Sequence, residues 1–101
     1  MQLQHIIDAL EQIAPTALQE DFDNCGLLVG QRQADINGIL LCIDVSEQVI
    51  DESKQHGCNL IISHHPLIFR GLKSIIGRNE VERCVVAAIK NDIAIKREEG
   101  R

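Results

Sequence analysis

Tryptophan and tyrosine are absent from this 101-residue chain, and its large aromatic side chains are Phe22 and Phe69 alone. A core built without them must be aliphatic. The shortage argues against binding of single-stranded nucleic acid, which stacks its bases on aromatic platforms. Positive charge is also scarce. Ten Lys and Arg stand against fifteen Asp and Glu, a formal net charge of −5. With no basic stripe there is no footprint for a duplex, so nucleic acid is not an expected partner. No apolar run approaches the ~20 residues that span a bilayer. The N-terminus lacks the basic-then-apolar order of a signal peptide. No membrane association is expected. The cysteines at 25, 42, 58 and 84 contain no C-x-x-C pair, which argues against a zinc knuckle. They read as free thiols in a reducing cytoplasm, the expected location. The glycine patterns of phosphate-binding loops and of the nucleophile elbow are missing too.

What is present reads as an α/β chain. Leu3, Ile6, Ile7, Leu10 and Ile13 repeat at helical spacing, and Pro15 stops that helix near Ala14. Gly26 to Gly30 reads as a short strand. Gly38 to Ile43 is a continuous apolar run, the pattern of a buried strand, ended by Asp44. Ser46 caps the following helix and Gly57 closes it. Cys58 to Ser63 is a second buried strand, so strand, helix and strand are spaced as a parallel βαβ unit. Pro66 to Gly77 is a loop rich in apolar residues. Asn79 with Glu82 resembles a capping box. Val81, Cys84, Val85, Ala88 and Ile89 form a third helical stripe, and Ile93 to Ile95 starts a last strand. Residues 96–101 read as a polar tail with no strand logic.

The chemistry concentrates at Ser63-His64-His65-Pro66. Adjacent histidines directly follow a buried strand, and ligands of parallel α/β sheets bind beyond the carboxyl ends of the strands. Neutral imidazole suits zinc, iron, copper and nickel. On a regular strand the two rings would point to opposite faces; beyond it, both can aim at one cavity. The alternative is a pair of loop histidines with no ligand. Asp44, at the end of the neighbouring strand, has three readings: it orients a histidine, it binds metal-bound water, or it is only a helix-entry residue. Asp23-Asn24-Cys25-Gly26 is a turn or, alternatively, a lining of the site. His5 and His56 lie on helices and receive no role. No residue is assigned as catalytic.

Three segments together resemble one family. They are Glu20 to Gly30 with its Asp-Asn-Cys-Gly-Leu core, Leu41-Cys42-Ile43-Asp44, and Asn59 to Phe69 with His-His-Pro. They are similar to the type 2 GTP cyclohydrolase I-like proteins, also called the Nif-three-like family, over roughly residues 1–95. The resemblance implies a mixed, mainly parallel sheet with flanking helices, the N-terminal part of a larger Nif-three-like fold. It implies two divalent metal ions per site, with zinc, iron or manganese as candidates. His64 and His65 match the first two metal ligands, and Asp44 and Asn24 match positions near the site. It also implies a toroidal homohexamer and a small nucleotide substrate for a metal-dependent hydrolase. The family continues after the last strand into a His-Thr-Asn-x-Asp segment that supplies a bridging ligand, with a His and a Glu later. Here Lys96 to Arg101 departs from that pattern. The chain therefore reads as a truncated α/β segment over 1–95 with a non-family polar tail over 96–101. Three functions remain open: an incomplete metal-dependent hydrolase, a non-catalytic metal-binding or assembly protein, and a remnant without independent activity.

Overall fold

A computed structural model describes residues 1–13, 26–65 and 74–97. In chain order it holds α1 (Leu3–Ile13), β1 (Leu27–Val29), β2 (Ile39–Cys42), α2 (Glu47–Gln55), β3 (Leu60–Ser63), α3 (Glu80–Lys90) and β4 (Ala94–Arg97). The strands form one sheet in the order β1-β4-β3-β2. β2 with β3 and β3 with β4 are parallel; β1 joins β4 antiparallel, with an irregular register between Leu27 and Val29. The mixed, mainly parallel sheet expected from the sequence is therefore the observed one. Among the described residues no helix is long and apolar enough to cross a membrane.

The helix ends follow local chemistry. Ser46 Oγ accepts from Val49 N at 3.2 Å and starts α2. At its other end Gly57 takes φ 70°, which lets Gly57 N reach Lys54 O while Cys58 N reaches Ser53 O at 2.9 Å. That is a Schellman closure, and it needs a left-handed residue at this position. α3 closes in the same way, with Ile93 N on Ala88 O at 2.8 Å, but its left-handed residue is Asp92, at φ 56°. At the start of α3, Asn79 Oδ1 accepts from Glu82 N at 2.9 Å, as the capping box predicts. Glu82 differs from the box. Instead of returning to Asn79 N, its carboxylate accepts from Arg78 N at 2.9 Å and Ile76 N at 3.2 Å, and pairs with the Arg78 guanidinium at 2.7 Å. The charged fork of Arg78 outcompetes a single neutral N–H for the carboxylate.

Strand alternation sorts the core into two layers. Ile61 and Ile95 face α2 and α3, packing with Ile50, Cys84, Val85 and Ala88. Leu60 and Ala94 face the other way, against Leu3, Ile7 and Ile36. β3 and β4 are thus covered on both sides. β2 is not, which corrects its reading as a buried strand. It is one of two edge strands among the described residues, with β1 at the other edge, and Ile39 and Leu41 on it and Ile43 just beyond it are 45%, 74% and 62% exposed. Its opposite face, Leu40 and Cys42, packs on the helical layer. Ile89 likewise falls outside the covered stripe of α3 and is exposed. It sits about 80° around the helix from Val81, at the rim of the apolar face. β4 runs to Arg97, two residues past its expected end, and Lys96 is fully buried within it.

Two outcomes follow from this packing. Ile61→Ala, in the fully buried centre of β3, lowers unfolding free energy by about 2–5 kcal/mol in urea titration. The Arg78 side chain, helped by the N–H groups of Arg78 and Ile76, holds the Glu82 carboxyl down from an ordinary 4.5 to about 2. A depressed folded-state value stabilises above the ordinary value and is lost as pH falls towards the folded one. Thermal melts of the native chain and Glu82→Gln from pH 5 to 2 therefore converge as pH falls, with the native chain more stable at pH 5.

Candidate metal centre

β2 and β3 run in the same direction with Cys42 beside Ser63. The pairing continues past both strand ends, because His64 N donates to Cys42 O at 3.0 Å and His65 N donates to Ile43 O at 2.9 Å. This places Asp44 next to His65 although they are 21 positions apart, and His65 Nδ1 meets Asp44 Oδ1 at 2.8 Å. An ionised carboxylate only accepts, so Nδ1 carries the proton. In the neutral ring Nε2 then presents its lone pair away from the carboxylate. This carboxylate–imidazole pairing fixes ring orientation and raises ligand basicity at metal sites. Of the three sequence readings of Asp44, the structure shows it bonded to a histidine.

His64 stands beside His65, their ring centroids 4.9 Å apart and their planes tilted by 51°. Both residues are exposed, at the rim formed by the carboxyl ends of β2 and β3. Beneath them Ser63 is fully buried, and its Oγ donates to His65 O at 2.8 Å. His5 and His56 are exposed on or beside helices, apart from this cluster. Asn24 lies outside the described residues, as does the rest of its turn up to Cys25; Gly26, which follows, accepts from Arg97 N at 2.7 Å.

Imidazoles at the mouth of a parallel sheet, one of them bonded to a carboxylate, fit a borderline divalent cation such as zinc or iron. They supply two ligands. Catalytic zinc commonly takes three from protein, and no group of three His, Cys, Asp or Glu able to hold an ion occurs among the described residues. Cys42, nearby, has its thiol pushed up by burial and by Asp44, and burial with Glu80 and Glu47 lifts Cys84 to about 11. Neither is a ready thiolate at neutral pH. β4 ends in cations, with Lys96 Nζ donating to Arg97 O at 3.1 Å. A groove of about 710 Å³ lies at the opposite end of the sheet around Asn59, Ala94 and Gly30. It carries none of the histidines. Sequence reasoning missed Ser63 and the burial of Lys96; a hydroxyl residue at the last strand position before paired histidines was the available signal for the first.

The sequence model of the Duf34/NIF3 (NGG1p interacting factor 3) family matches residues 1–96. A protein of Clostridium perfringens named GTP cyclohydrolase 1 type 2 homolog is 47% identical over 93 residues, covering 92% of this chain and 36% of that protein. NIF3-like protein 1 of Drosophila melanogaster is 42% identical over 91 residues, covering 89% and 31%. Among solved structures, a Bacillus cereus protein related to NIF3 superposes with a TM-score of 0.83 at 38% identity, over 96% of this chain and 27% of that one. Reduced HcgD from Methanocaldococcus jannaschii gives 0.80 at 28% identity, over 96% and 39%. The chain spans about a third of the length of these relatives. The match of the family model along residues 1–96 shows that this chain belongs to the Duf34/NIF3 family.

Proposed function

We propose that this chain binds divalent metal through His64 and His65, as the N-terminal part of a metal-dependent hydrolase of the kind its relatives' name indicates. The observation that carries the reading is the Asp44–His65 bond of 2.8 Å, which occupies Nδ1 and leaves Nε2 of His65 facing away from the carboxylate, with the centroid of the His64 ring 4.9 Å from that of His65. Two divalent ions per site, the number of ions the family resemblance implies, would need donors beyond these. When bound, such ions acidify a water and clamp the oxygens of a hydrolytic step. The roles of this chain are narrower. His64 and His65 bind, and Asp44 orients His65 and keeps its proton on Nδ1. A small nucleotide is the proposed substrate, and a ring-shaped homohexamer in the cytoplasm the proposed assembly.

A second reading, a metal-binding or assembly protein without catalysis, is favoured by one observation. β4 ends in Lys96 and Arg97, where the resemblance leads to a carboxylate ligand.

Metal-free protein titrated calorimetrically with zinc, then with manganese, tests the reading. The native chain takes up metal, and the His64→Ala/His65→Ala double variant takes up none while keeping its circular dichroism. Unchanged stoichiometry in that variant rules the site out. Asp44→Ala keeps both ligands but weakens zinc binding about 10–100-fold.

A further inference from the structure

The rings of His64 and His65 stand side by side, although they belong to consecutive residues at the end of a strand. Alternation along β3 puts Leu60 in the α1 layer and Ile61 in the α2/α3 layer, with Ile62 back against the α1 layer. Continued, it would send the two imidazoles to opposite faces. The backbone shows where it stops. Successive N–H groups of a regular strand point to opposite edges, yet His64 N and His65 N both donate to β2, at Cys42 O and Ile43 O. The chain has therefore rolled between these two residues.

Ser63 is the group placed to hold that roll. It is fully buried, and a buried hydroxyl without a partner is costly. Its partner is the carbonyl of His65, two residues on, at 2.8 Å. The bond draws that carbonyl back over the strand end, and this carries the His65 ring round to the side of His64 and onto Asp44. We infer that Ser63 is a positioning residue of the metal centre: its hydroxyl, through the His65 carbonyl, sets both imidazoles on one side of the sheet. The inference deepens the metal-binding reading and rests on it for its purpose, but the geometry it claims exists without metal.

The test separates the two. In metal-free protein, nitrogen-15 spectra of the imidazoles report the His65 tautomer, and nuclear Overhauser contacts report the ring pair. Calorimetry with zinc reports affinity. Ser63→Ala is expected to lose the ring-to-ring contacts, to mix the His65 tautomers, and to weaken zinc binding at least 10-fold. Ser63→Thr keeps the hydroxyl and restores all three. If Ser63→Ala does not fold, the near-isosteric Ser63→Cys, a weak donor, is read in the same way. Native-like contacts and tautomer in a folded Ser63→Ala or Ser63→Cys overturn the inference. A native chain that takes up no zinc but shows the Ser63-dependent ring geometry overturns the metal reading alone.

Discussion

The parallel pairing of β2 with β3, carried two residues beyond the strands, is the constraint on which the candidate centre depends. Backbone bonds from His64 and His65 to Cys42 and Ile43 set the register. That register brings Asp44 beside His65, within reach of its ring. A slip of one residue would exchange the faces of every side chain on the strand, and would send Leu60 and Ile61 into the wrong layers. The same hydrophobic sorting that builds the core thus places the imidazole against its carboxylate. Nothing at the rim itself has to supply the energy, since both partners are solvent-exposed and an exposed pair contributes little to stability.

Much of the fold was legible because its determinants are local. Ser46, Gly57 and Asn79 act on backbone groups within a few residues, so their cap chemistry can be read from neighbours in the chain. The βαβ unit follows from spacing. The paired histidines and Asp44 were legible as strand-end residues, since each directly follows an apolar run. The exposure of β2 was not. Ile39 to Cys42 is as apolar as a central strand, and only the exposure of its outer face, a tertiary fact, distinguishes the two. Lys96 misled for the converse reason: a charged residue reads as tail, while its strand pairs with β3 on one side and β1 on the other. Asn24 is untested, since it lies outside the described residues.

Ser63 shows how a residue of little apparent chemistry can decide the use of its neighbours. Histidine side chains on successive strand positions are ordinarily no pair. A hydroxyl that bonds forward to a carbonyl changes which way the next ring faces, and the sheet then needs no loop insertion to bring two nitrogens together.

The place of β1 in the sheet has a consequence for how the chain acquires its structure. β1 pairs with β4, joining Leu27 to Lys96, partners about 70 residues apart. β1 leaves the ribosome before β4 and waits for it before it finds this neighbour, while β2 and β3 can already pair. This long-range pairing therefore ties the closing of β1 onto the sheet to the emergence of β4, and makes that step slower than the short, well-capped helices suggest.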